Sequence, residues 1–229
     1  MPSTALAATQ PLALPASAPA DIQVRLLDLS RCADVCDHAL EHLSDPERAR
    51  AARYHHAADA RRFVMARSAL REWLGLVLGT PPSQLDIHNG PHGKPQLANH
   101  ALQFSVSHAG HYALLALSPT HSLGVDIEAC EPERPLANIA RQAFTPSERT
   151  LCDAHPDRAA MFYALWTGKE AVLKAWGSGI DERIQSFSLQ PQGDAMTLYK
   201  HGSAQGGGTR VWRLQAPEGY AAALAVSGA

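Results

Sequence analysis

The sequence predicts an α+β protein built from two similar halves. The first observation is that apolar residues recur with the period of an α-helix from Ala58 to Leu78 and again from Phe162 to Trp176. The second is a set of short apolar or alternating runs, bounded by turn residues, that have the length of strands. The third is that these elements follow in the same order on either side of Ser118-Pro119, which is typical of an internal repeat.

The repeat predicts a pseudo-twofold arrangement of two similar α+β halves. We expect a flexible Ala/Pro-rich tail at residues 1–20, an N-terminal half at residues 21–119 and a C-terminal half at residues 120–229. Each half should be a small, mostly antiparallel sheet packed with its long helix. Because a cleft between two packed units is a common ligand site, we expect the active site there.

In the N-terminal half, apolar alternation predicts a strand from Asp21 to Asp28, followed by a short helix through Val35, Leu40 and Leu43. Ser44-Asp45-Pro46-Glu47 is a capping box with a proline in the first turn, so a helix should begin there. Further strands are expected at residues 85–88, 102–107 and 112–117, and His108-Ala109-Gly110-His111 should join the last two as a hairpin.

The C-terminal half repeats this order. Leu123–Glu128 should be its first strand, and Thr145-Pro146-Ser147-Glu148 is a second helix start that carries a proline. The helix from Phe162 to Trp176 then takes the place of the first long helix. Strands at Ile184–Leu189 and Tyr220–Ser227 complete the correspondence.

Composition limits the possible functions. At 229 residues and 45% hydrophobic, the chain is long enough for real cores, and its net charge of -2 gives no bulk attraction to nucleic acid or to an anionic membrane. The tail has no positively charged start, and no apolar run approaches the roughly 20 residues that span a bilayer. The cysteines form no Cys-x-x-Cys pair and should be free thiols. We therefore expect a cytoplasmic protein.

Glu170 and Lys174 are the first candidates for chemistry. They lie one helical turn apart on the Phe162–Trp176 helix, so a carboxylate and an ammonium group stand side by side at one edge of its apolar stripe. Lys169 projects from the stripe itself, and Gly168 costs a helix about 1 kcal/mol relative to Ala, so both suggest a role beyond stability. An ordinary amphipathic helix with one surface ion pair is the alternative.

Asp126 and Glu128 are candidate ligands of a divalent cation. In the strand Leu123–Glu128 both carboxylates point to one face, about 6.5–7 Å apart, while the residues beside them point to the core. Mg²⁺ is typically held by one or two carboxylates, with phosphate oxygens and water completing its shell. A strand with an acidic outer face is the alternative, but Glu170 as a third carboxylate favours the metal site.

Residues near two turns could bind a phosphate group. Ser107 and His108 end a strand before a turn whose exposed amides could receive an anion, and Lys94 follows the tight turn at Gly93. Ordinary hairpin and loop residues are the alternative for all of them. A cluster of arginines in the first half forms either a phosphate-facing patch or a solvated helix face; its members are Arg48, Arg50, Arg53, Arg61, Arg62, Arg67 and Arg71.

Several motifs occur in a fixed order along the chain. They are Gly93-Lys94-Pro95, Phe104-Ser105-Val106-Ser107-His108, Gly124-Val125-Asp126-Ile127-Glu128, Phe144-Thr145 and Trp166-Thr167-Gly168-Lys169-Glu170-Ala171-Val172-Leu173-Lys174. Taken together they resemble the Sfp-type 4′-phosphopantetheinyl transferases. The last motif is similar to the subgroup that carries Trp and Lys-Glu-Ala. The resemblance runs from Leu43 to Ile180, with the N-terminal tail outside it.

The resemblance implies a monomer of two α+β halves that binds coenzyme A and Mg²⁺ in the cleft between them. Asp126, Glu128 and Glu170 would hold the metal against the pyrophosphate of coenzyme A. By the same resemblance the contacts to phosphates, including the 3′-phosphate, would come from Lys94, Ser107, His108, Arg53 and Arg62.

The implied reaction moves the phosphopantetheine arm from coenzyme A to a serine hydroxyl of an apo acyl, polyketide or peptidyl carrier protein, releasing 3′,5′-ADP. Glu170, or a water that it orients on the metal, would take the proton from the carrier serine, and Lys174 would offset charge on the departing 3′,5′-ADP. Secondary metabolite biosynthesis is the expected setting, and neither nucleic acid nor a membrane is an expected partner. The particular acceptor and its docking surface stay open.

Two other functions stay open as well. A Mg²⁺-dependent phosphoanhydride hydrolase would use the same three carboxylates with water as the acceptor. A non-catalytic module that binds coenzyme A or a carrier protein is the second alternative. The joint presence of Asp126, Glu128, Glu170 and Lys174 argues against this binding module.

Overall fold

The computed structural model describes residues 5–31, 37–98, 102–131, 133–178, 183–200 and 208–228. The helices are α1 (Asp37–Glu41), α2 (Asp45–Ala51), α3 (Ala57–Leu78), α4 (Leu136–Ala143), α5 (Pro146–Ala154) and α6 (Arg158–Trp176). The strands are β1 (Thr9–Pro11), β2 (Gln23–Asp28), β3 (Ile87–Asn89), β4 (Pro95–Leu97), β5 (Gln103–Ala109), β6 (Tyr112–Ser118), β7 (Ser122–Ala129), β8 (Phe187–Gln192), β9 (Ala195–Lys200), β10 (Thr209–Leu214) and β11 (Tyr220–Ser227). Helices and antiparallel sheets share one chain, so the predicted α+β class is confirmed.

Two antiparallel sheets and two long helices are stacked in four layers. The first sheet has the strand order β1-β2-β6-β5 and the second β7-β11-β10-β9-β8, and β3 and β4 form a separate pair. One face of the first sheet packs on α3, and one face of the second packs on α6. The other two faces meet in a shared apolar core that contains Leu26, Leu114, Val125 and Leu224. Each sheet therefore lies between a helix and the other sheet.

Both proline-bearing helix starts are confirmed. The backbone N–H of Ser44 donates to Glu47 Oε2 at 2.9 Å before α2, and the backbone N–H of Thr145 donates to Glu148 Oε2 at 2.9 Å before α5. Helix α6 begins at Arg158, earlier than predicted, because Asp157 caps it.

Several predicted elements need correction. The strand expected from Leu85 begins at Ile87, and the one expected from Ile184 begins at Phe187, because a turn occupies the residues before each. Helix α4 and strands β9 and β10 were not predicted, since they are short and depend on pairing and packing with distant elements. Helix α1 lies in the region of the predicted short helix, and Val35 lies outside the described residues.

Residues 5–20, for which the sequence predicts a flexible tail, pack against both sheets. Strand β1 pairs with β2, and the backbone N–H of Ala5 donates to Glu72 Oε1 at 3.1 Å. Further along, Trp212 Nε1 donates to Ser17 Oγ at 2.8 Å. Leu6 also packs against the core under α3, and Leu12 and Leu14 pack against the core between the sheets. These apolar contacts and the hydrogen bonds to partners far away in the sequence hold the segment.

Lys169 and Gly168 serve packing, which corrects the expectation of a role beyond stability. The fully buried ammonium of Lys169 contacts the two carboxylate oxygens of Glu148 at 3.0 and 2.8 Å and the backbone oxygen of Phe187 at 2.8 Å. A Cβ on Gly168 would lie 2.8 Å from a methyl carbon of Leu189. The ion pair and the close approach together tie α6 to α5 and β8.

The shared core extends to a contact between the edge strands β5 and β7. The backbone N–H of Val125 donates to Ser105 Oγ at 3.1 Å. Nearby, the backbone N–H of His111 donates to the Tyr220 hydroxyl at 3.1 Å. Side chains of β5 therefore reach the face of β7 on which α6 lies.

None of the helices in the described residues has both the length and the apolar character of a membrane-spanning segment. Cys130 and Cys152 are free thiols. Cys32 and Cys36 lie outside the described residues.

Helix α6 crosses strand β7 at Gly124 in very close contact. A Cβ on Gly124 would lie 2.5 Å from the backbone nitrogen of Ala175 and closer still to the backbone oxygen of Ala171. Ser122 Oγ donates to the backbone oxygen of Ala175 at 2.7 Å and holds the same turn of the helix. Because both atoms near Gly124 belong to the backbone, no rotamer change could make room for a side chain.

We predict that Gly124→Ala lowers the free energy of unfolding by about 3 kcal/mol, because the added methyl group must push α6 away from β7. Urea unfolding of the purified proteins measures this difference. Gly228→Ala is the matched control, since a Cβ there would meet its nearest neighbour, the backbone oxygen of Gly208, at 3.7 Å. Equal stability of both variants and the wild type would contradict the prediction.

Candidate active site

Helix α6 and strand β7 bring a lysine and two carboxylates together. Lys174 Nζ donates to Asp126 Oδ1 at 2.7 Å and to the backbone oxygen of Val125 at 3.2 Å. It also donates to Ser107 Oγ at 3.0 Å, and Ser107 Oγ donates to Asp126 Oδ1 at 2.7 Å. Glu170 lies one turn before Lys174 and is near enough to Asp126 for that carboxylate to raise its pKa. Residues from three separate motifs therefore meet in one place.

Two buried carboxylate oxygens of this cluster, Asp126 Oδ2 and Glu170 Oε1, have no hydrogen-bond donor in the part of the chain that the structure describes. Buried polar atoms are normally paired. Burial, followed by the nearby Asp126 charge, raises the pKa of Glu170 to about 7, and Lys174 offsets this only in part. A hard divalent cation would satisfy both oxygens and relieve their repulsion, so this donor set fits Mg²⁺.

Glu128 has different partners from the other two carboxylates. Its Oε1 accepts a hydrogen bond from Trp166 Nε1 at 3.0 Å, and its Oε2 pairs with Arg134 Nη1 at 3.3 Å. The Glu128 charge still contributes to the raised pKa of Glu170. Within the described residues, no three His, Cys, Asp or Glu side chains are already arranged as metal ligands. Direct ligation by Glu128 would require it to turn away from Arg134 and Trp166.

Lys94 and His108 are titratable groups close enough to Lys174 for its charge to lower their pKa values. Lys94 Nζ donates to the backbone oxygen of Leu123 at 2.9 Å, and burial together with Lys174 lowers the pKa of Lys94 to about 8. Desolvation at the end of β5, and then Lys174, also lower the pKa of His108. Their protonated forms are disfavoured by a neighbouring cation, and an anionic ligand would reverse that effect.

Two cavities meet at Lys174. The first, of about 270 Å³, lies beside Ser107 and His108 and is walled on its α2–α3 side by Arg50, Phe63 and Arg67. The second, of about 260 Å³, contains Glu170 and Lys94 in its wall. Both also touch Gly93, Pro95 and Val106, so a ligand in one cavity can continue into the other.

Arg53 and Arg62 do not line either cavity. Arg53 is exposed, and Arg62 is paired with Asp59, although the Arg62 charge is among those that lower the pKa of His108. The arginines that do line the first cavity are Arg50 and Arg67. One signal for Arg67 was present in the sequence, because it follows Phe63 by one helical turn and so places a cation on the predicted buried face of α3.

The chain is similar to known proteins over most of its length. Residues 32–120 match the family described as "4′-phosphopantetheinyl transferase, N-terminal", and residues 122–225 match the "4′-phosphopantetheinyl transferase superfamily". The Synechocystis sp. protein slr0495, whose name places it among these transferases, is 34% identical over 186 residues, which cover 75% of this chain and 70% of that protein.

Two further relatives have the same activity in their names. The 4′-phosphopantetheinyl transferase HetI of Nostoc sp. is 39% identical over 144 residues, covering 60% of this chain and 61% of HetI. The 4′-phosphopantetheinyl transferase Sfp of Bacillus subtilis (strain 168) is 26% identical over 151 residues, covering 65% of this chain and 66% of Sfp.

The chain belongs to the 4′-phosphopantetheinyl transferase superfamily. Within it the chain is an enzyme of the Sfp type, and the resemblance noted in the sequence is confirmed. Coenzyme A is the donor substrate used by this family, and carrier proteins are its acceptors.

The raised pKa of Glu170 predicts a pH-dependent stability. This carboxyl titrates near pH 7 in the folded protein and near its ordinary value of 4.5 in the unfolded chain, so the folded state binds the proton more tightly. The resulting stabilisation is complete below pH 4.5 and is lost as the pH rises through 7. Without divalent cations, Glu170→Gln should therefore be more stable than the wild type at pH 8, by up to about 3 kcal/mol, and similar to it at pH 4.5.

Urea unfolding at both pH values, with a chelator present, measures this difference. Glu218→Gln is the control, because Glu218 is an exposed carboxylate away from the cluster. Its free energy of unfolding should differ little from that of the wild type at either pH. A Glu170→Gln difference that does not change with pH would show that Glu170 has an ordinary pKa.

Proposed function

We propose that this protein transfers the 4′-phosphopantetheine arm of coenzyme A to a serine of an apo acyl or peptidyl carrier protein, with Mg²⁺ bound, and releases 3′,5′-ADP. The observation that carries the proposal is the cluster of Asp126, Glu170 and Lys174 beside Ser107. It combines two buried carboxylate oxygens, which have no hydrogen-bond donor among the described residues, with lysine and serine groups that can bind phosphate oxygens, in a chain that belongs to this family.

The residues proposed to hold Mg²⁺ are Asp126 and Glu170, joined by Glu128 when it leaves Arg134. The support is the pair of buried oxygens, Asp126 Oδ2 and Glu170 Oε1, for which the described part of the chain provides no donor. When bound, the ion would neutralise charge on the pyrophosphate of coenzyme A, which otherwise repels an incoming oxygen nucleophile.

Glu170 is the proposed general base. The carrier serine oxygen forms a bond to the phosphorus that bears the pantetheine group, and the anhydride bond from that phosphorus to the ADP oxygen breaks. The serine proton passes to the Glu170 carboxylate or to a water that it orients, and the electron pair of the broken bond stays on 3′,5′-ADP. A bound cation would offset the burial and the Asp126 charge that raise the pKa of Glu170, so the carboxylate would be ionised near neutral pH and able to accept the proton.

Lys174 is proposed to stabilise the leaving group. Its ammonium lies 2.7 Å from Asp126 and 3.0 Å from Ser107, so it stands beside the carboxylate oxygens and borders both cavities. A fixed cation in that position can offset the negative charge that develops on the ADP oxygen.

The remaining predicted site residues are proposed phosphate contacts. Lys94, Ser107 and His108 border the cavities, which supports this role. Arg53 and Arg62 lie outside the walls of both cavities, and they are proposed to contact only the part of the ligand that extends out of the cavities.

The assembly and location are also proposals. We propose a monomer whose halves, residues 21–119 and 120–229, face each other across the site, because β5 of one half contacts β7 of the other. The cytoplasm is the proposed compartment, and the free thiols of Cys130 and Cys152 support a reducing environment.

We expect Glu170→Gln to lower the transfer rate at least about 10²-fold while coenzyme A binding largely survives, because the base and one metal ligand are lost. Lys174→Ala should lower the rate about 10²-fold and the affinity for coenzyme A much less, because the cation acts mainly on the developing charge. Incubation with coenzyme A, Mg²⁺ and a panel of apo carrier proteins, followed by intact-protein mass spectrometry, measures transfer.

The control for these variants is Glu218→Gln, which should transfer at the wild-type rate because Glu218 is exposed and lies outside the site. Free phosphopantetheine without any modified carrier would indicate a hydrolase instead. Undiminished transfer by Glu170→Gln would remove Glu170 from the mechanism.

A further inference from the structure

Two histidines one helical turn apart form a cluster outside the active site. His38 lies in α1 and His42 directly follows this helix, so their side chains project from the same face. Their ring centres are 4.5 Å apart, and the ring planes are inclined by 68°. Two imidazoles that bind one zinc ion, with zinc–nitrogen distances of about 2.0–2.1 Å, must lie nearly in contact. Histidines at positions i and i+4 are also the spacing by which a helix presents two ligands to zinc.

Oxygen atoms of α3 fix the proton of His42 on Nδ1. Ser68 Oγ donates its one hydrogen to Glu72 Oε1 at 3.2 Å, and Ser68 Oγ lies 2.9 Å from His42 Nδ1. Glu72 Oε1 lies 3.2 Å from the same nitrogen. Both oxygens beside Nδ1 are therefore acceptors, so Nδ1 carries the hydrogen and the lone pair of the neutral ring is on Nε2.

His38 has a similar but weaker contact. Its Nδ1 lies 3.5 Å from Glu41 Oε2, and an ionised carboxylate can only accept a hydrogen bond. Among the described residues, neither His38 Nε2 nor His42 Nε2 has a hydrogen-bond partner. Histidines that bind metal ions typically have this arrangement, in which a carboxylate holds one ring nitrogen and the other nitrogen is free for the metal.

We propose that His38 and His42 bind a divalent transition-metal ion through their Nε2 atoms, with Zn²⁺ as the probe. Imidazole nitrogen suits Zn²⁺, whereas Mg²⁺ prefers oxygen, so this site selects a different ion from the carboxylates of α6 and β7. No third His, Cys, Asp or Glu side chain in the described part of the chain completes the site, so water fills the remaining positions of a tetrahedral ion. The proposal does not depend on the proposed function.

A metal ion at this site would connect three segments of the N-terminal half. Glu72, which contacts His42, also accepts hydrogen bonds from the backbone N–H of Ala5 at 3.1 Å and of Leu6 at 3.3 Å. The ion would therefore tie α1 to α3 at the place where the N-terminal segment is held. Because the unfolded chain does not hold the two rings together, binding favours the folded state. The site is structural, and it takes no part in phosphate transfer.

Calorimetric titration of the metal-free protein with Zn²⁺, in an excess of Mg²⁺, tests the proposal. His38→Asn and His42→Asn should each lower the Zn²⁺ affinity at least about 10-fold, because one of two protein ligands is lost. Glu72→Gln should lower it about 10-fold, because the carboxylate that contacts His42 Nδ1 is lost. His88→Asn is the matched control and should leave the affinity unchanged, since His88 is an exposed histidine of β3.

Thermal unfolding gives a second measurement. Zn²⁺ at about 100 times its Kd should raise the Tm of the wild type by roughly 5 °C or more, and that of His38→Asn much less. If His42→Asn does not fold, His38→Asn decides the question, because the side chain of His38 is 39% exposed and its loss leaves the core intact. Equal Zn²⁺ affinity of His38→Asn and the wild type, or a wild type that binds no Zn²⁺, would overturn the proposal.

Asp126→Asn separates this site from the active site. This variant should retain the Zn²⁺ binding that depends on His38, because Asp126 lies in the α6–β7 cluster. Zn²⁺ binding that is lost in Asp126→Asn and unchanged in His38→Asn would place the ion among the carboxylates and would overturn the proposal. A wild type that binds Zn²⁺ through His38 but modifies no carrier protein would contradict the proposed function alone.

Discussion

The close contact between helix α6 and strand β7 at Gly124 is the constraint on which the site depends. Because no side chain stands between the two backbones, Lys174 can reach Asp126 and the backbone of β7 directly. Glu170 then lies along the same strand, where burial and the Asp126 carboxylate act on it together. The N-terminal half completes the cluster by placing Ser107 against Asp126. A single helix–strand crossing thus sets the geometry of groups from three sequence motifs.

Near this crossing, both buried acceptors and a buried donor have no hydrogen-bond partner among the described residues. Among the residues that the structure describes, Asp126 and Glu170 have buried oxygens that lack a donor, whereas Arg67 has a buried donor that lacks an acceptor. A buried polar atom without a hydrogen-bond partner is unfavourable, and a bound ligand can supply the missing partner. Under the proposed function, a metal ion and the phosphates of coenzyme A would supply these partners.

Lys169 and Lys174 belong to the same sequence motif, but tertiary structure gives them different roles. Lys169 and Lys174 lie on one helix, and each contacts one carboxylate at 2.8 or 2.7 Å. Lys169 is fully buried, and Glu148 together with a backbone oxygen of Phe187 satisfies it, so it is a structural tie. Lys174 is partly exposed at the cavity wall, where a ligand can reach it. Only the surroundings of each lysine distinguish the two roles.

Local sequence patterns determined the two long helices, the two proline-bearing helix starts and strand β7, together with the residues of the α6–β7 cluster. The capping boxes and the helix period act over a few residues, and the alternation along β7 sends Asp126 towards α6 and Val125 into the shared core. Tertiary structure alone decided the packing of residues 5–20, the turn of Glu128 towards Trp166, and the position of Arg67 at the cavity. The physical reason is that these features depend on hydrogen bonds and burial between segments far apart in the chain, which no local pattern encodes.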